Sequence, residues 1–233
     1  MPRTLAFPRA PRIVAPLVVA LAVACSGCGN LAHYRPTQSG RLADYGGLTD
    51  DRFHLNRGLG IQRNRSRNAD GGALEGIDSF YVEPTAWIVD DASRAGRDPA
   101  CRLVLTADLE RALRERLGTL RPIVSRPGPR TAVVRSVIAD ARLSRPYANA
   151  GLMAIGLAGS ACGIPIPLGA MFFGGACVEA EVLAPGDRRQ VAAITCASGG
   201  GPLDFFGFFN RPAHAKKAMR RAAQELVETF GPR

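Results

Sequence analysis

Two stretches of this sequence carry apolar side chains three and four residues apart, and each needs an apolar surface to lie on. The later one runs Ala215, Ala218, Met219, Ala222, Ala223, Leu226, Val227 and Phe230, with Lys216, Lys217, Arg220 and Arg221 on the other side. The earlier one runs Cys101, Leu105, Leu109, Ala112, Leu113, Leu117 and Leu120. Asp98-Pro99 opens it as N-cap and first turn, and Gly118 lies near its end. Glu110 and Arg114 read as an exposed i,i+4 pair. Asn210-Arg211-Pro212 reads as the cap of the later helix and Gly231-Pro232 as its stop.

Strand patterns surround these helices. Residues 79–89 are rich in β-branched and aromatic side chains, and Pro84 within them implies an edge strand or a bulge. Residues 122–125 read as a short strand and 131–143 as a longer, alternating one. Residues 175–183 and 190–197 read as two more, joined by a hairpin at Pro185-Gly186-Asp187. The order is β-α-β-β-β-β-α. One antiparallel or mixed sheet can serve both helices, so the expected fold is a two-layer α+β domain over 77–233.

Ahead of this domain lies a targeting pattern. Arg3, Arg9 and Arg12 precede twelve uncharged residues, 13–24, too few for a bilayer-spanning helix of ~20 residues. Ala24-Cys25-Ser26-Gly27-Cys28 follows and resembles a bacterial lipobox, in which the cysteine is acylated and becomes the mature N-terminus. Ser26-Gly27 before the cysteine favours Cys28; Cys25 is the alternative, and a plain secretory cleavage after Ala24 is the third reading. By that resemblance residues 1–27 are a lipoprotein signal peptide. Gly29, not Asp, follows the cysteine, which implies a lipid anchor on the periplasmic face of the outer membrane.

Residues 28–76 show little periodicity and contain Arg52, Arg57, Arg63, Arg65 and Arg67. They read as a basic, flexible tether, without which the domain is expected to fold from near Glu75. Contact with anionic head groups is the functional alternative. The net charge of +10 comes almost wholly from arginine, as expected of a GC-rich coding bias, and a nucleic-acid partner is not expected.

Residues 148–176 hold no charge over 29 positions. Gly163-Ile-Pro165-Ile-Pro167 breaks them midway, so the expectation is a protruding apolar hairpin rather than a membrane span. With Phe172, Phe173, Phe205, Phe206, Phe208 and Phe209 it is the candidate interaction surface for an envelope protein, for self-association or for the membrane.

Chemistry is sparse. His33, His54 and His214 have no helical-spacing partners, so neither metal nor cofactor is expected. Glu179 and Glu181 alternate on one strand; paired carboxylates can do acid–base work, but here they read as a solvated face. No nucleophile-elbow, phosphate-loop or dinucleotide motif is present. In an oxidising compartment a disulfide is a candidate. A two-residue turn at Gly186-Asp187 would set Cys177 opposite Cys196. The apolar pattern prefers a shift of one, placing Val178, Ala180 and Val182 beside Cys196, Ile194 and Ala192; Cys162–Cys177 is then the better pair.

Three stretches together resemble a known family. They are Ser39-Gly-Arg-Leu-Ala-Asp-Tyr-Gly-Gly-Leu48, Ser125-Arg-Pro-Gly-Pro-Arg-Thr-Ala-Val-Val-Arg-Ser-Val-Ile-Ala-Asp-Ala141 and Gly175-Ala-Cys-Val-Glu-Ala-Glu-Val-Leu183. Each resembles a motif of the bacterial lipoproteins grouped as domain of unknown function 3313. Arg41, where an aromatic is common, departs from the pattern, as does the arginine-rich insertion. The resemblance implies a periplasmic lipoprotein with no catalytic residues to carry over. The expected role is therefore non-enzymatic, in assembly or binding. A small apolar ligand or lipid binder is the alternative, and a hydrolase stands behind both.

Overall fold

The computed structural model describes residues 36, 38–54, 59–65, 74–145, 174–199 and 210–230; within 50–54 and 59–65 only the backbone is described. Its elements are β1 (Thr49–His54), β2 (Leu59–Arg65), β3 (Ser79–Val82), β4 (Ala86–Trp87), α1 (Pro99–Leu117), β5 (Thr131–Arg142), β6 (Gly175–Leu183), β7 (Gln190–Gly199) and α2 (Ala213–Glu228). The expected α+β architecture holds: one mixed sheet lies under two helices. Strand order across the sheet is β1-β2-β7-β6-β5-β3, with β4 also on β5. Pairing is antiparallel from β1 through β5, while β3 and β4 run parallel to β5. Helix α1 makes the crossover that a parallel pair requires.

Pro84 does what its chemistry dictates. The strand around it sits on the sheet edge and splits into β3 and β4. Val82 pairs with Val134 and Ala86 with Val137, so β3–β4 carries one residue more than β5 across the break. Glu110 and Arg114 hold this bulge. Glu110 Oε1 accepts from the Thr85 N–H at 2.8 Å, and Arg114 donates to the Val82 carbonyl at 3.2 Å. The expected ion pair between them gives way because the broken strand offers orphan backbone groups. Residues 122–125 do not form a strand; Ile123 makes one bridge to Phe80.

The core lies between sheet and helices. Asp98 caps α1 through two backbone N–H groups, at 3.0 and 3.1 Å. The helix buries Cys101, Leu105, Leu109, Ala112, Leu113 and Leu117, and α2 buries Ala215, Ala218, Met219, Ala222, Ala223 and Leu226. Against them the sheet sets Val134, Ile138, Val178, Ala180, Val182, Ile194 and Cys196. Each such aliphatic side chain contributes about 1.5–3 kcal/mol on burial. Asp108 ties the helices together, reaching Arg111 on its own helix and Lys216 of α2 at 3.2 Å. The cap expected at Asn210 differs: Pro212 occupies the N-cap position without a side-chain hydrogen bond, and the Asn210 carbonyl accepts from Ala213 instead.

The hairpin register follows the apolar pattern. Val178 faces Cys196, Ala180 faces Ile194 and Val182 faces Ala192. Nearer the turn Leu183 pairs with Gln190, the register a tight turn sets, and a bulge between Val182 and Leu183 reconciles the two. Gly186, at φ +81°, supplies the left-handed turn residue. Cys177 therefore pairs with Ala197 and lies on the opposite face from Cys196, which excludes a bridge between them. Cys162 lies outside the described residues.

The largest departure concerns 28–76. A flexible tether does not describe residues 38–54 and 59–65. β2 pairs with β7 over seven positions from Leu59↔Ser198 to Arg65↔Ala192, and β1 pairs with β2. Residues 38–48 lie on the far face of the sheet, where they meet β6. These segments lack an apolar stripe because the sheet supplies backbone and carboxylate partners instead.

Candidate functional site

Strand alternation sends Val178, Ala180 and Val182 toward the helices, and so sends Cys177, Glu179, Glu181 and Leu183 the other way. A solvated face was expected there. Instead Glu179 and Glu181 are both fully buried. A carboxylate is tolerated at such a depth only when its oxygens are met by donors or cations. Segment 38–48 and the neighbouring strands provide them.

Glu179 is held by hydroxyl and backbone donors of the N-terminal segment. Its Oε1 accepts from the Ser39 N–H at 2.7 Å. Its Oε2 accepts from the Ser39 hydroxyl and from the Tyr45 hydroxyl, the latter at 2.8 Å. Glu181 is held by a cation as well. The Arg135 guanidinium donates to its Oε1 through two nitrogens, Nε at 2.9 Å. Its Oε2 accepts from the Ala43 N–H and from the Gln190 amide, both at 2.8 Å. Arg135 reaches it because the register places the two residues directly opposite on β5 and β6.

The segment is itself shaped to reach both acids. Gly40 takes φ +77°, which turns the chain so that Ser39 and Ala43 present their N–H groups to different carboxylates. The Tyr45 oxygen accepts from the Arg41 and Leu42 N–H groups at 3.0 and 3.2 Å while donating to Glu179. Leu42 is the buried apolar residue of the segment. Beside Glu179, the Thr195 hydroxyl is buried with no hydrogen-bond partner among the described residues.

Both carboxylates are taken up in hydrogen bonds to the protein itself. Every oxygen of the pair already accepts at least one hydrogen bond. Among the described residues no group of three His, Cys, Asp or Glu side chains converges as a metal site needs. His214 is buried at the start of α2, far along the chain from the acids. The anchor candidates Cys28 and Cys25, residues 148–173 of the hairpin expected over 148–176, and Phe172, Phe173, Phe205, Phe206, Phe208 and Phe209 lie outside the described residues, while Gly175 and Ala176 open β6. Ser39, Tyr45, Arg135 and Gln190 carry no catalytic signature. The signal for the first three is that the family-like stretches around Ser39, Arg135 and Glu179 bind one another; Gln190 lies in none of them.

Fold and site together define a two-layer α+β domain whose sheet is closed on its far face by its own N-terminal segment. The chain belongs to the family described as protein of unknown function (DUF3313), whose model matches residues 37–226. Both ends of the Ser39–Glu179 contact fall within that match. No curated protein matches the chain. Among solved structures it is similar to the PelC dodecamer from Paraburkholderia phytofirmans, at 10% identity and a TM-score of 0.44, covering 75% of this chain and 99% of that one. It is also similar to protein XCC0632 from Xanthomonas campestris, of the DUF330 family model, at 14% identity and a TM-score of 0.32, covering 65% and 84%. Among the described residues no helix is long and apolar enough to cross a membrane.

Proposed function

We propose that this protein is a lipid-anchored protein of the bacterial outer membrane, facing the periplasm, with an assembly or binding role rather than a catalytic one. The observation that carries this reading is the seating of residues 39–45 on Glu179 and Glu181. It supports a non-catalytic role because it commits to structure the carboxylate pair that the described residues place on the far face. It also changes what an anchor at Cys28 does. Ten residues lie between Cys28 and Ser39, so the sheet is held within about 40 Å of the lipid at full extension. A free tether reaching to residue 76 would allow roughly 160 Å. A short leash of this kind suits a module that meets its partner at the membrane surface.

The basic signal region, the apolar run and the small residues before Cys28 support the anchor. The uncharged segment 148–176 and the phenylalanines at 205–209 supply the association surface in this reading, toward an envelope protein or a second copy. Mass analysis of the mature N-terminus tests the anchor: an acylated cysteine at 28, or at 25, is expected. Unacylated protein released to the periplasm by cells with intact lipoprotein processing would overturn it. Co-purification from envelope membranes, with and without a Gly-Ser replacement of 151–174, tests the association surface.

A further inference from the structure

We infer that residues 38–48 form a strap that opens as a unit while the sheet and helices stay folded, and that its opening sets the length of the leash between domain and anchor. The membrane half of this statement rests on the anchor proposed above; the opening itself does not.

Three observations separate the strap from the body. First, among the described residues it is tied to the sheet by side-chain carboxylates of one strand, not by a backbone ladder. Second, it buries little apolar surface. Gly40, Arg41, Ala43, Asp44, Gly46 and Gly47 are exposed and Leu42 alone is buried, whereas every residue of β6 is buried. Segments with few apolar contacts and exposed backbone open at a small fraction of the global unfolding free energy. Third, the strap is internally bonded. Tyr45 accepts from Arg41 and Leu42, and Asp44 accepts from the Gly46 N–H at 2.7 Å, so the loop holds its shape when it lifts. Gly46-Gly47 lies between it and β1.

The two carboxylates respond differently to opening. Glu181 keeps Arg135 and Gln190. Glu179 loses each of its described donors and gains water. Glu179 is thus the catch, and Glu181 remains part of the sheet. Opening moves the first described contact with the sheet from Ser39 to Thr49. The reach from Cys28 grows beyond about 40 Å, toward a ceiling of roughly 70 Å that is met only when the loop's own hydrogen bonds break as well. Contact with a partner held at either height selects one state.

Hydrogen exchange on the full chain in detergent micelles tests this. Amides in 39–45 are expected to exchange at least tenfold faster than those of β6. Tyr45→Phe should speed the strap about tenfold again and leave β6 and β7 within twofold. Glu179→Gln, which keeps size and removes the charge, should do the same and stands in if the first variant folds poorly. Strap amides as slow as β6, or variants that speed both segments equally, would overturn the inference. The mass at Cys28, read on the same sample, reports the anchor independently. A chain without acylation whose strap still opens removes the leash and leaves the opening intact.

Discussion

Tyr45 and Glu179 stand 134 positions apart and share a hydrogen bond of 2.8 Å that fastens the N-terminal segment to the middle strand of the sheet. The phenol oxygen also gathers two backbone N–H groups of its own loop. One hydroxyl thus both shapes the segment and docks it.

Tyr45→Phe removes that hydroxyl and little volume. It leaves the Leu42 N–H without its described acceptor, and leaves the Arg41 N–H and Glu179 Oε2 with the Ser39 hydroxyl alone. The expected loss is about 1–2 kcal/mol, read by denaturant unfolding. A loss below about 0.3 kcal/mol would mean that the segment contributes nothing to the fold.

Truncation to a start near Glu75 gives the opposite of what the sequence suggests. It deletes the strap and both strands that cover the β7 edge. We expect at least ~3 kcal/mol of destabilisation, on the order of 10 °C in Tm for a domain of this size. Equal melting of long and short forms would return 28–76 to the status of a tether.

Arg135→Leu strands Glu181, whose side chain is 1% exposed. Breaking a fully buried pair costs roughly 3–5 kcal/mol. Arg135 is partly exposed, and Ala43 and Gln190 still donate to the acid, so about 2–3 kcal/mol is expected here. Adding Glu181→Leu should recover much of the loss. A double variant no better than the single one would show that the charge pair is not the cause.

Burial, with the Asp98 carboxylate adding to it, pushes the Cys101 thiol above its ordinary range. A raised thiol carries less thiolate at neutral pH and reacts slowly. Native alkylation of Cys101 should be at least about tenfold slower than in denatured protein, rising only at higher pH. Asp98→Ala should restore a minor share of the reactivity and weaken the α1 cap by ~1 kcal/mol. Peptide maps run without reductant should contain no Cys177–Cys196 link, since the two lie on opposite faces.

What was legible in the sequence follows from where apolar contact does the specifying. The stripes of α1 and α2 are visible because each packs on the sheet with one face. The β6–β7 register is visible because Val178, Ala180 and Val182 must meet Cys196, Ile194 and Ala192 on the helix side. Segments β1 and β2 were hidden. Thr-Asp-Asp-Arg-Phe-His and Leu-Gly-Ile-Gln-Arg-Asn-Arg join the sheet through backbone pairing at its margin and show no alternation to betray them. Glu179 and Glu181 were misleading for a related reason. Alternating acids signal solvent unless something polar covers them, and a cover made of Ser39, Ala43 and Tyr45 has no periodicity to detect.

The sheet order has a consequence for a newly made chain. β2 is synthesised early, yet the strand that joins it and β1 to the rest of the sheet is β7, and the strap waits for β6. Neither can settle until residues 175–199 have emerged, and such distant pairings are slow to form. Helix α1 can collapse first with β3 and β5, which flank it in the chain and pair with each other. The first part of the chain to be made is therefore among the last to be folded, and enzymes that act on its N-terminal region have that interval in which to reach it.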